Sequence, residues 1–284
     1  MNRDEKPLSA GLYLVPVPIG NARDITLRAL DVLRAADVLA AEDTRTLRHL
    51  MDIHGVAGGG RPMLAYHDHS DAAARDRVLD HVAEGRSVAL TSEAGTPMLA
   101  DPGFGLVREA IGRGLAVTAL PGASALLPAL TLSALPTDRF TFAGFLPSSD
   151  SARRRAIAEL AAAPGTLCLY ESPRRLAATL SALAETLGPE RPAAVARELT
   201  KRFEELRRGT LAELAEAYEG VTVKGEIVLM VGAGEEAPAA TEDVEAALRD
   251  AMKTMRVKDA ATVVAGAPGL PRREVYQIAL TLGD

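Results

Sequence analysis

The sequence predicts an α/β protein of two domains followed by a small helical module. Short β-rich runs alternate with helical patterns over residues 11–231, which is typical of βαβ units around a largely parallel sheet. The chain has 284 residues, 48% of them hydrophobic and 25% charged. It is therefore long for a single core and apolar enough to fold. Several predicted strands also run into turns rich in glycine and proline, where α/β folds bind ligands.

The first predicted domain spans residues 1–122. Its strands are expected at residues 12–16, 38–41, 87–92 and 116–120. The first helix is expected to begin at Asp24 or Thr26, because either side chain can accept a hydrogen bond from the backbone of the first helical turn. Further helices are expected at residues 44–53, 71–84 and 104–112.

The second predicted domain spans residues 123–234. Its strands are expected to begin near residue 140 and to include residues 166–171, 193–198 and 226–231, with helices at 151–162, 173–187 and 210–219. Residues 232–240 have the composition of a linker. The third part, residues 241–284, has a helical pattern. A helix at 257–264, a turn at 266–269 and a helix at 271–280 give the outline of a helix-turn-helix, although any two-helix hairpin with solvated arginines gives the same outline.

Charge is distributed unevenly along the chain. The formal net charge is −6, which argues against a uniformly basic, nucleic-acid-binding surface. However, residues 153–208 contain eleven Lys and Arg against seven Asp and Glu, and residues 249–273 contain six against two. These two basic tracts could contact phosphates, or they could be solvated helix faces.

The sequence favours a cytoplasmic protein without metal. Cys168 is the only cysteine, so neither an intramolecular disulfide nor a thiolate zinc cluster can form. Residues 114–137 carry no charge, but their prolines would break a membrane-spanning helix, and the mixed charges of residues 1–7 are unlike a signal peptide. Residues 67–69 read His-Asp-His, and alternation along a strand would point them to opposite faces. Neither a membrane contact nor a metal site is therefore expected.

Three turns of the first half are candidate ligand loops. They are Val15-Pro-Val-Pro-Ile-Gly-Asn21, the segment from Thr91 to Gly103, and Leu120-Pro-Gly-Ala-Ser-Ala125. Each follows a predicted strand, and small residues let backbone amides approach a ligand. Glu93 and Asp101 could bind a ribose or offset a cationic ligand, whereas Asp101 could also cap a helix. Ser124 could bind a carboxylate or serve as an N-cap.

The second half contributes two polar segments, each just past a predicted strand. They read Leu169-Tyr-Glu-Ser-Pro-Arg-Arg175 and Ala196-Arg-Glu-Leu-Thr-Lys-Arg-Phe-Glu-Glu205. Both place acids, hydroxyls and arginines at a strand end, where they could meet the loops of the first half.

Taken in order, seven motifs closely resemble the tetrapyrrole methylase superfamily. Within it they resemble the bacterial branch that methylates the 2′-hydroxyl of cytidine in 16S ribosomal RNA. The motifs are Val-Pro-Ile-Gly-Asn, Ala-Glu-Asp-Thr-Arg, Ser-Glu-Ala-Gly-Thr-Pro, Asp-Pro-Gly, Pro-Gly-Ala-Ser-Ala, Tyr-Glu-Ser-Pro-Arg-Arg and Arg-Glu-Leu-Thr-Lys. The resemblance extends from about Gly11 to the end of the chain.

The resemblance implies two α/β domains of the tetrapyrrole methylase type with S-adenosyl-L-methionine in the cleft between them. It also implies a homodimer that acts on 16S ribosomal RNA or the small ribosomal subunit. The cofactor contacts that it implies are Pro18, Ile19, Gly20, Glu93, Gly95, Thr96, Met98, Ser124, Ala125, Tyr170 and Ile227. Glu93 is a departure, because the family usually has aspartate there; it keeps the charge but lengthens the reach.

The residues also suggest roles in methyl transfer to a ribose hydroxyl. A general base would help because the hydroxyl is weakly acidic, and Glu171 is the candidate. Arg174, Arg197 and Lys201 are candidates for binding RNA phosphate, with Arg272 and Arg273 of the helical module.

Two other functions stay open. The first is a methylase for a porphyrin-like macrocycle, although such a small substrate needs no basic helical appendage. The second is a non-catalytic ribosome-binding factor with a vestigial cofactor pocket.

Overall fold

A computed structural model describes residues 7–67, 70–101, 103–234, 241–265 and 272–282. The chain divides into two compact units, residues 1–232 and 233–284. In the described residues, the first unit has two five-stranded sheets with their helices, and the second has three helices. This is the α/β class with a helical C-terminal module that the sequence predicts; the domain boundary at residue 122 stays a prediction.

The first sheet is entirely parallel, with strand order β3-β2-β4-β1-β5. Its strands are β1 (Gly11–Leu14), β2 (Val38–Ala41), β3 (Met63–Ala65), β4 (Ser87–Thr91) and β5 (Val117–Ala119). All residues of β2 and β4 are buried, as expected for central strands covered on both faces. Because parallel strands end at the same edge, the loops after β1, β4 and β5 gather there.

Helices cover the two faces of this sheet. They are α1 (Leu27–Ala35), α2 (Thr44–Ile53), α3 (Ala72–Ala83) and α4 (Phe104–Gly112), with one 3₁₀ turn at Ala22–Asp24. Thr26 is the N-cap of α1, and its hydroxyl accepts a hydrogen bond from the Ala29 amide at 3.0 Å. Gly103 is the N-cap of α4. The alternative in which Asp101 caps that helix is therefore wrong.

The second sheet has strand order β6-β7-β10-β8-β9. Its strands are β6 (Phe140–Phe145), β7 (Thr166–Glu171), β8 (Pro192–Arg197), β9 (Glu205–Thr210) and β10 (Ile227–Val231). Only β6 and β7 pair in parallel; β10 runs antiparallel to β7 and β8, and β8 antiparallel to β9. The expectation of a largely parallel sheet is therefore correct for the first sheet and wrong for the second, because β8 and β9 form a hairpin.

The helices of the second half bury apolar faces against this sheet. They are α5 (Leu126–Leu132), α6 (Asp150–Leu160), α7 (Leu176–Leu187) and α8 (Leu211–Tyr218). A capping box starts α8: the Thr210 hydroxyl accepts from the Glu213 amide, and the Glu213 carboxylate accepts from the Thr210 amide. Such reciprocal bonds satisfy donors that a helix start leaves unpaired.

Two strands escaped prediction, and both lie at sheet edges. The strand β3 has only three residues, too few to show a period. The strand β9 reads Glu-Leu-Arg-Arg-Gly-Thr, and its charged residues are untypical of a strand. Charged residues are common on edge strands, because they prevent pairing with strands of other chains.

The apolar core of the second sheet extends to a loop of the first half. Ile19 is 8% exposed and belongs to the same cluster as Leu199 and Val228. The loop after β1 is therefore packed into the second half, which brings residues of both halves to one place.

The C-terminal unit consists of α9 (Thr241–Ala251), α10 (Val257–Ala265) and α11 (Arg272–Leu282). Val244, Leu248, Ala261, Val275 and Ala279 form its small core. The predicted turn at residues 266–269 lies outside the described residues. Across the described parts of the chain, no helix is both long and apolar enough to cross a membrane.

Candidate functional site

A cavity of about 330 Å³ is lined by residues of both halves of the first unit. Its volume falls in the range of small-molecule and cofactor sites. The first wall, from the first half, consists of Ile19, residues 94–96 and 99–101, Ser124 and Ala125. The second wall, from the second half, consists of Phe145, residues 170–173, Ala196, Leu199 and residues 225–228.

The first wall is built largely from backbone and small side chains. Val17 and Gly95 exchange two backbone hydrogen bonds of 2.9 Å, and the Thr96 hydroxyl donates to the Ala123 carbonyl at 2.8 Å. Gly95 has φ +74°, and a Cβ there would lie 3.3 Å from a methyl carbon of Ile19. Glycine is therefore required at position 95 by both its conformation and its surroundings.

The loop after β4 holds two further residues with left-handed backbone. Met98 has φ 73° and Ala100 has φ 63°, and such strain in non-glycine residues persists only where neighbouring structure enforces it. Met98 lines neither cavity of the site and packs instead against the core of the first half. Among the cofactor residues expected from the sequence, Met98 alone is placed away from the cavities.

Aromatic rings support Tyr170 in the second wall. The Tyr170 ring packs edge-to-face with the rings of Phe142 and Phe145, at centroid distances of 4.9 and 5.6 Å. Burial raises the pKa of Tyr170, although the nearby Ser124 hydroxyl of the first wall opposes that rise. Two predicted cofactor residues, one from each wall, therefore lie close together.

A second cavity of about 370 Å³ adjoins the first. The two share Ile19, Ala94, Asp101 and Glu226 as lining residues. The second is also lined by Pro18, Gly20, Glu42, Thr46 and Glu93. Every predicted cofactor residue except Met98 therefore lines at least one of the two cavities.

The charged residues that line these cavities are all acidic. They are Glu42, Glu93, Asp101, Glu171 and Glu226. Such a lining favours a cationic ligand and repels phosphate. In the described parts of the chain, the cavities included, no three His, Cys, Asp or Glu side chains are grouped so as to hold a metal ion; Asp68 and His69 lie outside those parts.

Glu171 lines the first cavity, but its carboxylate is occupied. The carboxylate is 1% exposed and accepts hydrogen bonds from the Ser172 amide at 2.6 Å, Arg175 Nε at 2.7 Å and the Thr179 hydroxyl at 2.6 Å. Arg175 also donates to the Leu146 carbonyl at 2.9 Å. A carboxylate bound by three donors is poorly suited to accept a proton from a substrate, so this geometry favours a structural role for Glu171 over the role of general base.

Two of the predicted phosphate ligands are paired with acids. Arg197 donates two hydrogen bonds to the Glu205 carboxylate, at 2.7 and 3.0 Å, and Lys201 bonds Glu198 and Glu226. Arg174 is exposed and follows Pro173, which lines the first cavity. In the C-terminal unit Arg273 is exposed, and the side chain of Arg272 lies outside the described residues.

The sequence predictions did not include Glu226 among the site residues. It immediately precedes β10, and the start of a parallel strand would lie far from the ligand edge. Because β10 is antiparallel, Ile227 pairs with Glu171 at the end of β7 and with Arg197 at the end of β8. The resemblance named only the neighbouring Ile227, and the antiparallel direction of β10 explains why Glu226 lies beside it at the cavities.

Two family models match the chain. The model described as Tetrapyrrole (Corrin/Porphyrin) Methylases matches residues 11–215, and the model described as RsmI C-terminal HTH domain matches residues 238–283.

Full-length relatives and solved structures are similar as well. The chain is 47% identical over 280 residues to Ribosomal RNA small subunit methyltransferase I of Mesorhizobium japonicum, covering 98% of this chain and 94% of that protein. It is 49% identical to the protein of the same name from Erythrobacter litoralis, covering 98% and 97%. Uroporphyrin-III C-methyltransferase from Thermus thermophilus, complexed with S-adenosyl homocysteine, is 23% identical with a TM-score of 0.54 over 78% of this chain and 97% of that chain. At that identity the likeness concerns the fold.

Proposed function

The chain belongs to the tetrapyrrole methylase family, and from that premise we propose that it transfers a methyl group from S-adenosylmethionine to the 2′-hydroxyl of a cytidine in 16S ribosomal RNA. The observation that carries the proposal is a carboxylate-lined cavity in a chain that resembles ribosomal RNA small subunit methyltransferases over nearly its whole length. The match of residues 238–283 to the C-terminal domain model of that group supports RNA over a tetrapyrrole as substrate.

The lining of the two cavities fits S-adenosylmethionine. This donor has a positive sulfonium and a positive ammonium group against one carboxylate, so Asp101 and Glu226 complement its charge. Apolar side chains such as Leu199 and Ile227 offer a surface for an adenine ring. When bound, the donor supplies an activated methyl group.

The residues proposed to bind the cofactor line two adjoining cavities. Those in the first cavity are Ile19, Gly95, Thr96, Ser124, Ala125, Tyr170 and Ile227, and those beside it in the second are Pro18, Gly20 and Glu93. The acceptor ribose approaches through the second cavity, which adjoins the first at Asp101. The protein's main contribution is to hold donor and acceptor in line, which alone lowers a reaction barrier substantially.

Asp101 takes the place of Glu171 as the proton acceptor in this proposal. Asp101 and Glu226 are the carboxylates that line both cavities. Asp101 is chosen because it directly follows Ala100, whose backbone is left-handed, and lies where the two cavities meet. Glu171 instead fixes the end of β7, where Tyr170 lies, and the following residue Ser172.

RNA phosphates must lie outside the acidic cavities, on exposed cations. Arg174 near the first cavity and Arg273 of the C-terminal unit take this role. Lys201 and Arg197 are less suited to it because their charges are already compensated.

The proposal also includes a homodimer that works in the cytoplasm, as the family resemblance implies. Analytical ultracentrifugation tests the dimer, with a single species at twice the chain mass expected. A species at the mass of one chain would remove this part of the proposal.

The main experiment incubates the protein with methyl-labelled S-adenosylmethionine and purified small ribosomal subunits, followed by alkaline hydrolysis of the RNA. A 2′-O-methyl group blocks cleavage at its nucleotide, so the label is expected in an alkali-resistant dinucleotide that contains cytidine. Label in ordinary mononucleotides would indicate base methylation and contradict the proposal. Binding of the donor without transfer to RNA would favour a non-catalytic ribosome-binding factor, and transfer to a porphyrin-like acceptor would favour the other alternative.

A pair of variants tests the proton acceptor. General-base catalysis contributes about 10²–10⁴-fold, so Asp101→Asn is expected to slow single-turnover methylation by about a hundredfold at saturating donor and RNA. Glu171→Gln in folded, donor-saturated protein should slow it far less. The opposite ranking would restore Glu171 as the base.

A further inference from the structure

The loop between β8 and β9, residues 198–204, joins the two halves of the first unit through Lys201. The Lys201 ammonium group lies 2.9 Å from a carboxylate oxygen of Glu198 and 2.9 Å from one of Glu226. Glu198 belongs to the same loop, whereas Glu226 precedes β10 and lines both cavities. Lys201 therefore contacts the second wall at the point where the two cavities meet.

The stem of the same side chain lies on the first half. A Cβ at Gly20 would overlap Cγ of Lys201 and would lie 2.9 Å from Cε and 3.1 Å from Cδ. Gly20 lines the second cavity. The Lys201 stem thus packs directly on Gly20, and any larger residue at position 20 would overlap it.

Glu198 fixes the lysine from the other side. Its carboxylate accepts from the Glu226 amide at 3.1 Å, and its own amide donates to the Glu226 carbonyl at 3.0 Å. A Cβ at Gly225 would overlap the Glu198 side chain. Gly20 of the first half therefore leaves space for the Lys201 side chain, and Gly225 of the second half leaves space for the Glu198 side chain.

The backbone of this loop is strained where these contacts occur. Glu198 has φ 50° and Thr200 has φ 66°, a conformation that costs energy for residues with a Cβ. The ion pairs and the Glu204 carboxylate, which accepts from the Thr200 amide at 2.6 Å, hold the loop in that shape. Such over-determined strain is frequent at functional sites.

The charge of the Lys201 ammonium group is stabilised by its two carboxylate partners. Burial alone would lower the pKa of Lys201, but hydrogen bonds to Glu226 and Glu198 outweigh it and the pKa is raised. The side chains of Lys201 and Glu198 are 27% and 18% exposed. An ammonium group already paired with two carboxylates has little charge to offer a phosphate.

We infer that Lys201 is a positioning residue, which ties the Gly20 loop of the first half to Glu226 of the second and so holds the cofactor cavity closed around its ligand. This inference rests on the proposed use of S-adenosylmethionine. It replaces the sequence-based expectation that Lys201 binds RNA phosphate.

Lys201→Met removes the ammonium group and keeps most of the stem. The matched control is Lys224→Met, because Lys224 is exposed and lines neither cavity. Calorimetry with S-adenosylmethionine is expected to give a Kd about tenfold or more higher for Lys201→Met and an unchanged Kd for Lys224→Met. Lys201→Arg, which can keep both ion pairs, should lose less.

Binding to purified small ribosomal subunits separates the two roles of Lys201. A residue that neutralises one phosphate contributes about 0.7–0.9 to the slope of log affinity against log salt. With saturating S-adenosylhomocysteine present, Lys201→Met should leave that slope unchanged. A slope reduced by this amount, with an unchanged donor Kd, would overturn the inference in favour of a phosphate ligand.

Gly20→Ala gives a second route to the same contact, should Lys201→Met fold poorly. It is expected to weaken donor binding as well, and the double variant should lose less than the two single losses combined, because the two changes break the same connection at its two ends, the stem and the ammonium group. Full additivity would contradict the inference. If the unaltered protein fails to bind the donor, the proposed function itself fails; if it binds and Lys201→Met binds equally well, only the role of Lys201 is lost.

Discussion

The two walls of the cleft are built by different physical means. The first wall uses backbone hydrogen bonds and small residues, with left-handed backbone at Gly95 and Ala100. The second wall is braced by charged side chains that bind one another, such as Glu171 with Arg175 and Lys201 with Glu226. The shape of the first wall depends on backbone conformation and on the small size of its side chains. The shape of the second wall depends on ion pairs between its side chains.

This difference explains where sequence interpretation succeeds. A glycine required by its surroundings leaves a local mark in the sequence, and such residues led to the prediction of ligand loops at 15–21 and 91–103. A charged residue after a strand looks the same whether it faces a ligand or a neighbouring acid. The roles predicted for Glu171, Arg197 and Lys201 therefore stay predictions, and the structure adds that all three side chains are paired with neighbouring charges.

The largest expected effect concerns the bracing of the second wall. Glu171→Ala should lower the free energy of unfolding by about 3 kcal/mol, because it leaves Arg175 and the Thr179 hydroxyl without their buried partner. Urea denaturation followed by circular dichroism measures the loss. The control is Glu185→Ala, which removes an exposed partner of Arg154 and should cost less than about 1 kcal/mol. Equal losses for the two variants would mean that the second wall is not braced by this pair.

Much of the fold follows from local patterns. The helices Thr44–Ile53 and Phe104–Gly112 and the strands Val38–Ala41 and Thr166–Glu171 have the bounds that the sequence predicts. The antiparallel direction of β10 did not follow, because a fully buried strand reads the same in either direction. That direction brings Glu226 to the cavities, so the same missing information hid part of the site.

A smaller effect is expected from substitution of Gly95 in the first wall. A second glycine in the chain allows the effect of backbone conformation to be separated from the effect of steric contact. Gly95 and Gly85 both have left-handed backbone, at φ 74° and 85°, but a Cβ at Gly85 would meet no atom within 4 Å. Changing either to alanine should cost about 1–2 kcal/mol of stability. Only Gly95→Ala should also weaken donor binding in calorimetry, by about tenfold. Equal donor affinities would show that Gly95 serves the fold alone.

The smallest expected effect concerns RNA binding, and it tests whether exposed arginines contact phosphate while arginines paired with acids do not. Arg174→Met should reduce the salt slope of binding to small ribosomal subunits by about 0.7–0.9, the contribution of one phosphate contact. Arg197→Met removes a cation already bonded to Glu205 and should leave the slope unchanged. A reduction for Arg197→Met alone would reverse the assignment. Neither variant is expected to change donor affinity.

The central claim is that both walls enclose a single S-adenosylmethionine, and hydrogen–deuterium exchange with and without the donor tests it most directly. Exchange should slow together in residues 94–101, 170–173 and 225–228 and saturate at one donor per chain, while residues 72–83 of α3, which line neither cavity, stay unchanged. Protection confined to one wall, or saturation only at two donors per chain, would contradict the account.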